Sequence, residues 1–167
     1  MFSLEFVETI LHRKLHPNLQ GSSDRYEAQQ DYYLNPIDYN KILAQRNALL
    51  KMFQETGRFD ATSLEVWDDQ LVVKGEQIFN YRKEFIEEFT PVFLKNYEVV
   101  SGNKETVELV YDSSLHQGAF AEVLRSNIAR DRKSTYTNTG IHKDDLQLLL
   151  GGKLMKKFGS QGQQKTY

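Results

Sequence analysis

The sequence predicts an α+β fold that is mostly helical, with long antiparallel helices and one small β-hairpin. Apolar residues recur at helical spacing over about residues 35–57 and 62–92, which predicts the two long helices. A β-branched and apolar run at residues 106–112, and two short apolar runs joined by Gly151-Gly152, predict strands. The chain has 167 residues, which is long enough to bury one core.

Composition excludes several classes of function. The chain has no cysteine, so disulfides, thiolate metal sites and cysteine nucleophiles are excluded. Its net charge is -2, so any site for a polyanion must be local. Apolar residues at the start of the sequence recur at helical spacing, but Glu5 and Glu8 argue against a signal peptide. No run of apolar residues approaches the roughly 18 that a membrane span needs. We therefore expect a cytoplasmic protein with no membrane partner.

The first 34 residues predict a short helix followed by a loop. Leu4, Val7, Leu11 and Leu15 share one helical face, and "HPNLQGSSDR" then breaks the pattern. His12 and His16 are four residues apart and could present two metal ligands from one face. No third ligand is evident, so we interpret them as a solvated pair and predict no metal site.

The first long helix has recognisable ends. Asn35 is placed to cap it, Pro36 fits its first turn, and Gly57 fits the left-handed position after its last turn. One face is predicted to be apolar and the other charged. The apolar set is Ile42, Leu49, Leu50 and Phe53, and the set facing elsewhere is Lys41, Gln45, Arg46 and Lys51.

The second long helix is predicted to start at a Thr62 or Ser63 cap. Apolar residues then recur every seven positions, which is typical of antiparallel helix packing. These are Leu64, Leu71, Ile78, Phe85 and Val92. We interpret this stripe as the core of a helical arm rather than a groove for a partner, and we expect Pro91 to kink or end the helix.

The rest of the chain mixes strand and helix. A strand is predicted from Thr106 to Asp112, then a helix through "SSLHQGAFAEVLRSNIARDRK", and "STYTNTG" is predicted to be extended. "DLQLLLGGKLMKKFG" predicts a hairpin that leads to a new helix start, which Ser160 could cap.

The turn at the end of the printed chain has chemistry suited to an anion. A strand that passes through Ser160 and Gly162 into a helix exposes backbone N–H groups and a partial positive charge. Ordinary helix capping explains the same residues. The pattern G-x-x-x-x-G-K-[ST] of nucleotide-binding loops is absent, because Gly152-Lys153 is followed by Leu154. This chain alone is therefore not expected to cradle a triphosphate.

Three segments, "DYNKILAQRNALLK", "LEVWDDQLV" and "TGIHKDDLQLLLGGKLMKKFGSQGQQKTY", in that order along the chain, resemble the RecF family of bacterial DNA replication and repair proteins. "TGIHKDDLQLLLGGKLMKKFGSQGQQKTY" is similar to the family's G-P-H-R-D-D-L stretch and its S-Q-G-Q-Q signature. "DYNKILAQRNALLK" is similar to its Q-R-N-x-L-L-K helix, and "LEVWDDQLV" to its next helix. The resemblance covers roughly residues 35–167. It implies a helical arm inserted in an ABC-type, SMC-like ATPase head, with the hairpin leading into the signature helix.

The resemblance also implies an organisation and a site. It divides the chain into a divergent lead-in (1–34), a helical arm (35–133) and part of an ATPase head (134–167). The signature residues would contact the γ-phosphate of ATP held by the other protomer of an ATP-dependent homodimer; they are Ser160, Gln161, Gly162, Gln163 and Gln164. His142, Asp144 and Asp145 would support the nucleotide pocket or the head. From the residues alone, adjacent Asp144 and Asp145 would point to opposite faces of a strand, so a turn or helix-capping role is expected for them rather than acid–base catalysis.

The implied function is DNA repair. Family members act on single- and double-stranded DNA in recombinational repair of single-strand gaps, replication and the SOS response, with ATP, Mg²⁺ and the partners RecR and RecO. The residues expected to contact DNA are Lys153, Lys156, Lys157 and Lys165, and the cations Arg125, Arg130, Arg132 and Lys133 could also track phosphates. Solvated surface lysines explain these residues equally well.

Two departures from the family pattern bear on activity. The Walker A and Walker B motifs of this weak DNA-dependent ATPase family are not in the chain, so we expect an internal fragment that is inactive alone. Gly140-Ile141-His142-Lys143 replaces G-P-H-R and lacks its proline and guanidinium. The alternative function is a non-catalytic helical module for dimerisation or partner docking.

Overall fold

The computed structural model describes residues 36–102 and 106–154. The helices are α1 (Pro36–Thr56), α2 (Ala61–Ser101) and α3 (Phe120–Ser134), and the strands are β1 (Val107–Asp112), β2 (Asp145–Leu150) and β3 (Lys153–Leu154). Short 3₁₀ helices occupy Ser114–Gln117 and Ile141–Lys143. The predicted first helix, the Asn35 cap and the helix start at Ser160 lie outside the described residues. Within them, no helix has an apolar stretch long enough to cross a membrane.

Helices α1 and α2 form an antiparallel pair, as predicted. Leu50, near the end of α1, packs with Leu64 at the start of α2. Tyr39, near the start of α1, packs with Ile78 further along α2. The turn between them uses Gly57 at a φ of 67°, the predicted left-handed position.

The predicted cap of α2 was wrong by two or three residues. Asp60 is the cap, and its carboxylate accepts hydrogen bonds from the backbone N–H groups of Thr62 and Ser63. The helix therefore begins at Ala61. Aspartate at this position satisfies free N–H groups and also places a negative charge at the positive end of the helix.

The sevenfold stripe on α2 is buried for four of its five members. Leu64, Leu71, Ile78 and Phe85 are each at most 7% exposed, which confirms their place in the core. Val92 is 42% exposed, so the prediction was wrong there. Beyond Phe85 the helix packs through Phe89 and Phe93 against residues of the sheet instead, and the buried face has rotated away from Val92.

Pro91 does not end α2, contrary to one of the two predicted outcomes. The helix continues for ten more residues to Ser101, where Gly102 closes it with a φ of 64°. Proline removes one backbone donor, which leaves the carbonyl of Glu87 without its usual partner. Glu87 and Pro91 both lie on the exposed side of the helix, so water can satisfy that carbonyl.

The main core lies where α1, α2, α3 and the second 3₁₀ helix meet. Tyr39 and Phe120 are 1% and 0% exposed at its centre. Two glycines permit this close packing. A Cβ on Gly75 would lie 2.5 Å from the Phe120 ring, and a Cβ on Gly140 would lie 2.6 Å from the Tyr39 hydroxyl. Gly75, which propensity alone marks as a weak point of α2, is therefore required by packing.

The three strands form one antiparallel sheet in the order β1-β2-β3. Val107 pairs with Leu150 and Asp112 with Asp145. Gly151 and Gly152 form the β2–β3 turn with φ values of 53° and 76°, as predicted for a two-residue hairpin. Because β1 pairs with β2, the sheet spans the predicted boundary between residues 133 and 134, and that division remains a prediction.

The segment "STYTNTG" is not an extended strand. Thr135 adopts a left-handed conformation with a φ of 63° after α3, and the residues that follow, up to Gly140, form bends and irregular backbone. The alternation of threonines indicated a strand, but Thr137 bonds through its backbone N–H and its hydroxyl to α1 rather than to a neighbouring strand.

Candidate functional site

A buried arginine on α1 is the centre of a polar network. The prediction placed Arg46 on the charged outer face, but its side chain is 0% exposed, so that prediction was wrong. Its Nη1 donates to Asp131 Oδ2 on α3 at 2.7 Å, and its Nε donates to Asp68 Oδ1 on α2 at 2.5 Å. One guanidinium therefore joins all three helices, and its planar fork suits two carboxylates at once.

The loop after α3 closes this network. Arg46 Nη1 also donates to Thr137 Oγ1 at 2.8 Å. The backbone N–H and the hydroxyl of Thr137 both donate to Asn47 Oδ1 at 2.8 Å. Asn138 donates to Asp131 Oδ1 from its backbone N–H and from its side-chain amide, each at 2.9 Å. Two adjacent residues of α1 thus hold the loop that leads to Gly140.

A histidine of the predicted motif lies next to this network. His142 is half-buried, and its Nε2 lies 3.1 Å from the carbonyl oxygen of Thr137. A carbonyl can only accept, so Nε2 carries the proton and Nδ1 accepts from the Tyr39 hydroxyl at 2.9 Å. Burial lowers the pKa of His142, which favours this neutral form. Burial also raises the pKa of Tyr39, so its hydroxyl stays a donor.

Asp144 of the same motif ties the loop to α2 and to the sheet. Its Oδ2 accepts from Tyr111 of β1 at 2.5 Å and lies 3.5 Å from Arg82 Nη1 of α2. Burial raises the pKa of the Asp144 carboxyl. The hydrogen bonds from Tyr111 and Ser113 and the charge of Arg82 act to lower this pKa, but burial has the larger effect. Arg82 also donates to the carbonyl oxygen of Ile141 at 3.0 Å.

Asp144 and Asp145 were predicted to lie on opposite faces of one strand. Only Asp145 is in β2, since Asp144 follows the second 3₁₀ helix and precedes the strand. The predicted turn role fits its backbone, whose N–H donates to the carbonyl of Ile141 at 3.3 Å. The structure brings His142 and Asp144 into one polar region around α1 and α2, and their proposed role near a nucleotide remains a prediction.

Most of the residues that were predicted to contact phosphate lie outside the described residues. Residues 160–164, with Lys156, Lys157 and Lys165, lie outside the described residues, as do His12 and His16. Lys153 is exposed in β3. The other predicted cations are exposed on α3: Arg125, Arg130, Arg132 and Lys133. Over residues 36–102 and 106–154 no cluster of three or more side chains is arranged to hold a metal ion.

The sequence did not predict the side chains that hold the loop at Thr137 and the motif residues His142 and Asp144 in place. These are Tyr39, Asn47, Arg82, Tyr111, Asp131 and Thr137. A charged residue between apolar positions of α1 was the available signal for Arg46, because Leu43 and Leu50 flank it at helical spacing. Chemically, the described network consists of ion pairs and neutral hydrogen bonds that fix a loop.

The chain is similar to curated proteins called DNA replication and repair protein RecF. It is 46% identical to that of Flavobacterium johnsoniae over 131 residues, which are 78% of this chain and 36% of the relative. It is 43% identical to that of Bacteroides thetaiotaomicron over 158 residues, which are 89% of this chain and 42% of the relative. The chain thus spans well under half the length of these relatives. No protein-family model matches it.

Solved structures give the same result. One, described as the recombination mediator protein RecF with ATP in the RecFOR pathway, has a TM-score of 0.68 at 28% identity, and the match covers 80% of this chain and 38% of that one. Another, of RecF with ATPrS, has a TM-score of 0.69 and covers 82% and 39%. Both agree with the mostly helical fold and its small antiparallel sheet. The chain belongs to the RecF family of DNA replication and repair proteins.

Proposed function

We propose that this chain is the arm and the signature half of the head of an ATP-dependent DNA-binding protein that acts in recombinational repair of single-strand gaps. The observation that carries the proposal is the 46% identity to a RecF over 131 residues. The match to a RecF structure with ATP supports a nucleotide-binding role for the whole protein. The proposed setting is the cytoplasm, in replication, repair and the SOS response.

The proposed site is formed between two protomers. Ser160 and Gly162 donate to the γ-phosphate of ATP bound, with Mg²⁺, by the partner, and Gln161, Gln163 and Gln164 shape the turn. A helix N-terminus offers backbone donors and a partial positive charge to such an anion. ATP binding closes the dimer on single- or double-stranded DNA, hydrolysis releases it, and RecR with RecO are the protein partners.

The described network supports this proposal by giving the hairpin a fixed base. Arg46 and Asn47 hold the loop at Thr137, and Tyr39 and Tyr111 hold His142 and Asp144. Strand β2 begins directly after that loop, and β3 follows it in the sequence toward the signature residues. We propose that this base lets the head present the signature to a partner at a defined orientation.

The test uses Ser160→Arg in the full-length protein, since the bulky cation would occupy the turn. Gln70→Arg, on the exposed side of α2, is the matched control. Light scattering after size-exclusion chromatography should show an ATP-dependent dimer for the control and a monomer for Ser160→Arg, with equal thermal unfolding without nucleotide. Dimerisation of Ser160→Arg by ATP, at the control's level, would refute the proposed contact.

A further inference from the structure

A cleft lies between the end of α1 and the end of α3, and we call it the tip cleft. Its volume is about 410 Å³, which is enough for one or two large side chains. The floor is apolar and belongs to the core, because Leu50 and Phe53 are 1% and 7% exposed. Phe59 forms one wall and is 37% exposed.

Both charged residues that line the tip cleft are cations. Arg132 and Lys133, in the last turn of α3, are exposed at its rim. Arg58, next to Phe59 of the cleft wall in sequence, is also exposed. The neighbouring acid Glu55 lies 3.9 Å from Lys51, and Asp60 caps α2, so neither carboxylate is directed to neutralise the rim. The rim therefore favours an anionic ligand.

The geometry of Arg132 favours a carboxylate ligand over a stacked base. Its guanidinium carbon lies 4.1 Å above the centre of the Phe59 ring, so that ring face is covered. Phe53 packs against Phe59 edge-on, with ring centres 5.3 Å apart. A nucleic-acid base therefore cannot stack on the Phe59 face that Arg132 covers. The held guanidinium keeps its planar N–H fork available for bidentate binding of a carboxylate.

The tip cleft lies far from where the chain continues. It is at the end of α1 opposite Pro36, about 30 Å away at 1.5 Å per residue. The sheet that carries Leu154 packs near Phe85 and Phe89 of α2, about 32 to 38 Å along the helix from Leu64 beneath the cleft. The first and last described residues, Pro36 and Leu154, therefore both lie far from the tip cleft.

We infer that the tip cleft binds an acidic peptide segment of a partner protein. An apolar side chain of the peptide enters the cleft, and its carboxylates bind Arg132 and Lys133. Burial of the apolar side chain contributes to affinity, and the cations at the rim make the cleft prefer a negatively charged peptide. This site is separate from the proposed nucleotide interface and goes beyond the proposed function.

The test measures fluorescence anisotropy of a labelled nine-residue peptide, rich in Asp and containing one Phe, with the full-length protein free of nucleotide. We expect saturable binding that weakens at least tenfold when the Phe is replaced by Ala, and at least tenfold with the charge reversal Arg132→Glu/Lys133→Glu. Arg125→Glu/Arg130→Glu, an equal charge change on exposed positions of α3 outside the cleft, should weaken it less than threefold.

Three results would overturn the inference. The first is absence of peptide binding at about 200 μM protein, a concentration on the order of the Kd of a weak peptide contact. The second is an equal loss of affinity in both charge-reversed variants. The third is an affinity that does not change when the Phe of the peptide is replaced by Ala. A labelled single-stranded oligonucleotide serves as the competitor. If it binds more tightly than the peptide and loses that binding only in the cleft variant, the cleft is a nucleic-acid contact and the peptide assignment is wrong. Thermal unfolding of each variant controls for folding.

Discussion

The guanidinium of Arg46 and the carboxylate of Asp131 meet at 2.7 Å with both side chains 0% exposed, although 85 residues separate them in the chain. This pair joins the first and third helices and, through Asn138 and Thr137, holds the loop that precedes the hairpin. Charged groups this deep must be paired, because an isolated buried charge costs several kcal/mol.

The first prediction concerns that pair. Asp131→Ala should lower the free energy of unfolding by about 3 kcal/mol or more, because it leaves the Arg46 charge buried with one carboxylate fewer. Urea unfolding measures the change. Glu55→Ala, which removes an exposed ion pair with Lys51, is the control and should cost under about 0.5 kcal/mol. Similar losses in both variants would show that the buried pair has no special role.

The second prediction concerns Gly75 in the middle of α2. Alanine is a better helix former than glycine by about 1 kcal/mol, but its Cβ would lie 2.5 Å and 2.8 Å from two ring carbons of Phe120. We expect the clash to dominate, so that Gly75→Ala lowers stability by about 1 to 3 kcal/mol. Phe120→Leu should cost less in the Gly75→Ala background than in the wild type. Simple additivity in this double-mutant cycle would argue against the contact.

The third prediction concerns pH. Burial lowers the pKa of His142, so the folded protein binds this proton less readily than the unfolded chain. The stability it contributes is present above about pH 6.5, the ordinary pKa, and is lost as the pH falls through the lower folded value. The Asp144 carboxyl, whose pKa is raised, acts in the opposite direction.

Unfolding of the wild type and of His142→Gln should be compared between pH 7.5 and 5. The wild type should lose more stability toward acid, since the variant lacks this group while Asp131, Asp144, Arg46 and Lys143 are unchanged. Parallel curves for the two proteins would show that His142 titrates as it does in the unfolded chain.

The fourth prediction concerns the hydroxyl of Tyr111. Tyr111→Phe keeps the ring stacked on Phe79, with centres 5.8 Å apart, but removes the donor to Asp144. A buried carboxyl that loses a donor should cost about 1 to 3 kcal/mol. Tyr136→Phe, at a residue 48% exposed, is the control and should be nearly neutral in the same thermal unfolding measurement. A neutral Tyr111→Phe would mean that Asp144 is satisfied without this bond.

Local patterns predicted the elements well because their causes are local. The start of α1 at Pro36, the left-handed Gly57, the buried repeat from Leu64 to Phe85, and the Gly151-Gly152 turn all depend on neighbours in sequence. The motif resemblance also identified the family correctly, before any contact was known.

Long-range contacts explain what sequence patterns missed. Arg46 is buried because its partners Asp68, Asp131 and Thr137 lie 22, 85 and 91 residues away, and no helical pattern contains them. Pro91 is tolerated inside α2 because its helix face is exposed, which propensity does not report. The predicted contact residues 160–164 lie outside the described residues, so their role rests on the family resemblance and remains a proposal.

The proposed trans contact is tested most directly by mixing two full-length variants. One carries Ser160→Arg, and the other carries a substitution of the phosphate-binding lysine in the Walker A motif of the family, so each is expected to be inactive alone. A mixed dimer would contain one intact site, made from the Walker A loop of the first and the Ser160 turn of the second. The account predicts that ATP hydrolysis by the mixture clearly exceeds the sum of the separate variants, and a rate equal to that sum would contradict it.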